Sequence, residues 1–169
     1  MKIKPNYVVI PLITVAVAVI GSIFTSLGMP WYNNELIKPA LTPPDWIFPV
    51  AWNIIFILTT VSALITWNKR YVESRYLLVF RKKEIDVIFL FVVGLFIANA
   101  IFNVLWSLLF FTLHQLSLAL FEMIILEITI ILIMVLLWKR SKIASLLLIP
   151  YAGWVGFATY LTLQIALLN

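Results

Sequence analysis

The chain has 169 residues, of which 64% are hydrophobic and 11% charged, with a net charge of +5 and no Cys. That balance excludes an ordinary water-soluble domain, which is nearer half apolar and a quarter charged. The missing Cys excludes a disulfide framework, a thiolate metal site and a Cys nucleophile, and the scatter of basic residues through short segments between apolar runs excludes a nucleic-acid surface.

The first run, 7–29, is uncharged and longer than the ~20 helical residues that cross a bilayer. Lys2 and Lys4 precede it as in a signal peptide, but its apolar core is too long and no A-x-A site follows, so it reads as a retained helix. Pro11 falls in its first turns, where missing N–H groups matter least. A segment at 30–45 follows. It contains "KPALTPPDW" at 38–46, whose prolines fix φ and bias their predecessors toward extended backbone. The expectation is a stiff excursion, helical at 31–37 and extended to Asp45. It is either a lid over the bundle or an interfacial loop anchored by Trp.

The second run, 46–67, is uncharged. The connection at 68–86 is amphipathic and charge-mixed, with Tyr71 and Tyr76 expected at headgroup level. The third run, 87–113, is uncharged, and a short turn with His114 and Gln115 leads to the fourth, 116–138, broken only by Glu122 and Glu127. The fifth, 143–168, should kink at Pro150. Runs this long without alternation are not barrel strands. The fold class is therefore an all-α membrane protein, one domain over 1–169, built as a bundle of five transmembrane helices in a lipid bilayer.

Five crossings put 11 of the 12 Lys and Arg on one side, leaving only Lys38 on the other. The positive-inside rule then predicts a plasma-membrane protein with a cytoplasmic amino end and an external carboxyl end. Glu122 and Glu127 are five residues apart, so they point ~140° away from each other on a helix and cannot act as a paired-carboxylate site. A proton path is one reading. Interhelical hydrogen bonding is favoured, because no cationic partner lies within the helices. His114, at a loop, reads as a solvated residue rather than a haem ligand. Metal-protease, nucleophile-elbow and phosphate-loop motifs are absent, and no metal site is expected. Gly94 and Ala98 make a small-xxx-small step that would suit a homodimer. Trp52 and Phe56 share a face of the second helix, as Trp154 and Ala158 do on the fifth, while Asn99, Asn103 and Trp106 form a stripe on the third. Aromatic walls with a few amides suit a large planar ligand; plain helix packing is the alternative.

Three stretches carry a resemblance. The spacing W-Y-x(3)-L-x-K-P-x(3)-P-P-x-W-x(5)-W is carried by Trp31, Tyr32, Leu36, Lys38, Pro39, Pro43, Pro44, Trp46 and Trp52. The third run has Asn103, Trp106, Ser107, Phe110 and Phe111. The fifth has Leu148, Pro150, Tyr151, Trp154, Phe157 and Ala158. Together they resemble the TspO/MBR family of tryptophan-rich sensory and translocator proteins. Asn99 stands where the family usually has Gln, Phe56 where many members have Tyr, and Thr162 where many have Asn. Nothing basic follows Tyr160, so the mitochondrial members' cholesterol motif is absent.

The resemblance implies a cavity under the first loop that accepts porphyrin or haem as ligand, with no required cofactor. Its walls by matching position are Tyr32, Pro43, Pro44, Trp52, Phe56, Asn99, Asn103, Trp106, Trp154 and Ala158. It implies tetrapyrrole binding for sensing or disposal. The alternatives are transport of such ligands and light-dependent porphyrin degradation, in which Trp52 and Trp154 would be the catalytic residues.

The charge split makes a prediction about topology. Reporter fusions should place the amino end inside and the carboxyl end outside, and finding both ends on one side would exclude five crossings.

Overall fold

The computed structural model describes residues 4–69, 71–76, 80–85 and 87–169, with the backbone alone for the two short segments. The protein is an all-α bundle. Its helices are α1 (Asn6–Asn34), α2 (Ile47–Asn68), α3 (Val87–Ser107), α4 (Leu116–Trp138), α5 (Lys142–Leu146) and α6 (Ile149–Leu168). A π-helical turn, Leu108–Thr112, prolongs α3. Among the described residues, five helical segments are long and apolar enough to span a membrane, with α3 plus its turn and α5 plus α6 each counting as one.

Packing runs α1–α2–α6–α4–α3 and back to α1, with α5 between α2 and α4. The most enclosed helix is α4. Ala119, Met123, Leu126, Ile130, Ile133 and Leu137 form its buried stripe, at the three- and four-residue steps of one helix face. Outward-facing residues such as Phe121, Ile128, Ile131 and Val135 are apolar as well, as lipid contact requires.

Within a bilayer each polar group needs a protein partner, so hydroxyls bind carbonyls across helices. Ser62 Oγ donates to the Ala144 carbonyl at 2.8 Å and Ser145 Oγ to that of Met134 at 2.8 Å. Thr14 and Thr60 bond across α1 and α2 at 2.8 Å. Near the amino end, Asn68 Nδ2 donates to the Tyr7 hydroxyl at 2.9 Å.

Four boundaries differ from expectation. First, α1 does not end at Met29 but runs through Pro30 to Asn34. The φ of Pro is helical, and tertiary packing holds the turn beyond it: Tyr32 is buried. The loop therefore occupies 35–46 rather than 30–45. Second, the third span ends in a π-helical turn, closed by Leu113 N–H to the Leu108 carbonyl at 2.9 Å. Third, the fifth span breaks instead of kinking. Ser141 caps α5, the chain turns at Leu147 and Leu148, and Pro150 lies in the first turn of α6, where its missing N–H costs no helical bond. Fourth, the connection after α2 contains a two-stranded antiparallel hairpin, β1 (Tyr71–Tyr76) with β2 (Phe80–Ile85), Tyr71 opposite Ile85 and Tyr76 opposite Phe80. The expected headgroup placement of Tyr71 and Tyr76 concerns their side chains, which lie outside what is described for these segments.

The loop at 35–46 is tied down at several points. Leu36 is buried. A turn at 39–42 is closed by Thr42 N–H to the Pro39 carbonyl at 3.0 Å, and a second by Ile47 N–H to that of Pro44 at 2.9 Å. Lys38 Nζ lies 3.9 Å from the Tyr32 ring centroid and donates to Asn33 Oδ1 at 3.1 Å. Asn169 grips the loop with both ends of its amide. Its Oδ1 accepts from Ile37 N–H at 3.0 Å, and its Nδ2 donates to the Ile37 carbonyl at 3.1 Å.

Two predictions follow from these contacts. A Cβ at Gly28 would overlap the Phe111 carbonyl oxygen, whereas one at Gly156 would meet nothing within 4 Å. Gly28→Ala should lower Tm in detergent by several degrees, since such overpacking costs about 1–3 kcal/mol, and Gly156→Ala should not. Asn169→Ala removes two hydrogen bonds from Ile37. Amide exchange at Ile37 should accelerate about tenfold, as expected for loss of ~1.4 kcal/mol, with α4 amides unchanged.

Candidate functional site

A cavity of about 420 Å³ lies between α1, α2, α3 with its π-helical turn, and α6, and the loop at 35–46 contributes to it. Its size falls within the ~300–1,000 Å³ of small-molecule sites. No residue of α4 lines it.

Seven of the ten expected wall residues meet there: Tyr32, Trp52, Phe56, Asn103, Trp106, Trp154 and Ala158. Pro43, Pro44 and Asn99 do not; from the loop, Thr42 and Asp45 face the cavity instead. The turns at 39–42 and 44–47 set this orientation, and Pro44 is exposed. Asn99 is buried behind the wall, held between α4 and α6. Its Nδ2 donates to Thr129 Oγ1 at 2.9 Å, and its Oδ1 accepts from the Tyr151 hydroxyl at 3.0 Å. Tyr151 in turn accepts from Asn103 Nδ2 at 2.8 Å. This chain fixes the Asn103 amide, whose Oδ1 has no partner among the described residues.

The aromatic wall is continuous. Trp52 stacks on Phe56 with centroids 5.6 Å apart and lies 6.2 Å from Trp106. Trp106 stacks on Phe110 at 5.5 Å and meets Phe111 edge-on at 5.7 Å. Tyr32 lies 5.7 Å from Phe111, and Phe48 meets Trp154 edge-on at 5.8 Å. The π-helical turn makes this wall possible. It buries the consecutive Phe110 and Phe111, and both line the cavity. Trp106 Nε1 is buried without a hydrogen-bond partner among the described residues.

One wall escaped sequence reasoning. On α1, Ala18, Gly21, Ser22, Thr25, Ser26 and Met29 line the cavity. Their three- and four-residue spacing was the available signal, but small residues in a membrane helix ordinarily indicate packing.

The helix-four carboxyls are elsewhere. Glu122 is 4% exposed, and neither it nor Glu127 lines the cavity. The expected interhelical bonds are missing: both Glu122 oxygens and Glu127 Oε2 have no partner among the described residues. Two hydroxyls that pack at α4 are already engaged. Thr162 donates to Met123 Sδ at 3.3 Å, and Thr129 accepts from Asn99 while donating to the Leu126 carbonyl at 2.7 Å. His114 is exposed as expected, yet it is not simply solvated. Its ring stacks on Trp31 at 4.0 Å, and its φ of 54° closes the short turn into α4.

The TspO/MBR family pattern matches residues 8–168. The chain belongs to the TspO/MBR family. It is 36% identical over 154 residues to the tryptophan-rich protein TspO of Chlorobaculum tepidum, covering 91% of this chain and 89% of that protein. It is 34% identical to the TspO of Archaeoglobus fulgidus, covering 94% and 93%. To protein CrtK of Rhodobacter capsulatus it is 32% identical, covering 88% and 83%. With this family and five membrane-length helices, the protein is an integral membrane protein.

Proposed function

We propose that the cavity binds porphyrin-type tetrapyrroles, protoporphyrin or haem, for sensing or disposal. The observation that carries this reading is the run of rings Phe56–Trp52–Trp106–Phe110, which stack or tilt at 5.5–6.2 Å along one enclosed space. Flat walls favour a flat ligand through dispersion and quadrupole contacts. The loop closes over the ligand at low entropic cost, because its prolines and the Asn169 grip hold it in shape beforehand. Asn103 Oδ1 supplies an acceptor for orientation. Family membership supports the same reading.

Light-dependent degradation is the second reading. Trp52 and Trp154 line the same cavity from two different helices, and an indole is a suitable electron donor to a photoexcited macrocycle. It predicts a new absorbing product under illumination that is lost on Trp52→Phe. Proton-coupled transport has less support, since Glu122 and Glu127 lie outside the walls.

The test is a titration of purified protein with protoporphyrin and with haem, read by Trp quenching. Ala158 is 6% exposed and lines the cavity, so Ala158→Phe should fill ligand space and weaken binding at least tenfold, about 1.4 kcal/mol. Trp52→Leu should cost about 0.5–1.5 kcal/mol, up to roughly tenfold. Ile131→Phe, on the exposed face of α4, should bind like the parent. Equal affinity for all of these proteins would exclude the cavity as the site.

A further inference from the structure

Among the described residues, the cavity has one charged wall residue, Asp45. It sits on the loop just before α2, is exposed, and makes no hydrogen bond or ion pair with any described residue. It lies within electrostatic reach of the Tyr32 phenol. Tyr32 is 6% exposed and lines the same cavity, and its hydroxyl is likewise without a partner among the described residues. The loop's own cation does not neutralise Asp45. Lys38 Nζ is occupied over the Tyr32 ring and on Asn33 Oδ1, and Lys38 lines no part of the cavity. The loop end of the cavity therefore presents a carboxylate with no ion-pair partner among the described residues beside a buried, unpaired phenol. The other polar wall groups, including Asn53, Asn103, Ser107 and Trp106, are neutral.

We propose that Asp45 and Tyr32 form a charge-selective subsite that accepts a cationic or hydrogen-donating edge of a planar aromatic ligand and turns carboxylate edges away. The inference rests on reading the cavity as a ligand site. A ligand ammonium or N–H at the loop end finds a charged acceptor. A ligand carboxylate there meets a like charge, and charge juxtaposition sets partner choice more strongly than total affinity. Loop exposure keeps the effect moderate, because water and salt screen it. For a tetrapyrrole, the subsite also sets direction. A macrocycle with two carboxylates enters with that edge away from Asp45, while one whose acid groups are masked or replaced by ammonium gains affinity.

The experiment uses the full chain in nanodiscs of phosphatidylcholine, so that no anionic lipid competes. Three porphyrins are titrated by Trp quenching: protoporphyrin, its dimethyl ester, and its bis(aminoethyl)amide. Pyrenemethylamine and pyrenecarboxylate are run beside them as a matched pair outside the tetrapyrrole class. The parent should bind the amine forms most tightly and the acids least, with steps of about threefold to tenfold. High salt should shrink this spread. Asp45→Asn should tighten the acids, weaken the amines and collapse the spread, and Asp45→Lys should reverse the order. Asp45 is exposed and without a partner, so these variants threaten the fold little; an unchanged Tm checks that. Tyr32→Phe should weaken the amines alone.

A parent without charge preference, or an Asp45→Asn protein that keeps the parent's spread, overturns the subsite. Should no porphyrin bind while the pyrene pair still shows an Asp45-dependent preference, the tetrapyrrole reading falls and the subsite stands. Should porphyrins bind through Trp52 and Ala158 with no effect of Asp45, the reverse holds.

Discussion

The site depends on how closely one helix can approach one carbonyl. Gly28 of α1 lies so near Phe111 that any Cβ would overlap its backbone oxygen. That approach seats α1 on the π-helical turn, and Thr112 Oγ1 adds a bond to the Phe24 carbonyl at 3.2 Å. The turn buries Phe110 and Phe111 together, and both line the cavity. The same contact supports α1 beyond Pro30, so that Tyr32 reaches the wall and the loop starts at Glu35. Move α1 outward by one methyl radius and the wall, the last turn of α1 and the start of the loop all shift together.

A second constraint comes from the solvent. In lipid a polar group is either paired within the protein or left costly. The protein pairs four of them in a chain that links three helices, Asn103–Tyr151–Asn99–Thr129. The chain stiffens the back of the cavity, and it ends at the wall with a free amide oxygen. Unpaired groups at a cavity differ in kind from those packed in the bundle. A ligand can satisfy the Asn103 amide oxygen, whereas Trp106 Nε1 and the Glu122 oxygens, sealed from any accessible space, gain nothing from a ligand there. This contrast separates residues that serve the site from residues that are only buried.

Much of the fold was legible because membrane length is a crude and strong signal: five uncharged or nearly uncharged runs gave five spans. Boundaries were less legible, and the two prolines show why. Pro30 and Pro150 obey the same local chemistry, yet one sits inside a helix and the other begins one. Packing around Tyr32 decides the first case, and the Ser141 cap and the turn at Leu147 decide the second. The site was legible where spacing places large rings on one face, as with Trp52 and Phe56, which do stack. It was not legible where a partner far along the chain redirects a side chain. Asn99 and Asn103 share a helical stripe and both bond Tyr151, but Thr129, thirty residues on, holds Asn99 in the bundle and leaves Asn103 at the wall. The α1 wall was hidden for a different reason, since small residues read alike whether they face a helix or a hollow.

The two ends of the cavity therefore follow different physics. Its body is apolar and ringed by aromatics, so affinity there grows with contact area and discriminates weakly among flat molecules of similar size. Its roof is a loop on the aqueous side, held by Asn169 at Ile37 and by Leu36 in the core, with Asp45 turned inward. Charge acts over a longer range than stacking, and it acts at the mouth, where a ligand arrives before the walls can grip it. On the proposed reading, an arriving ligand is sorted by the charge of its leading edge first and by its shape second. Because α6 carries both the Trp154 wall and the Asn169 grip, a ligand that displaces α6 also strains the hold on the roof. Wall and lid are mechanically one unit through a single helix.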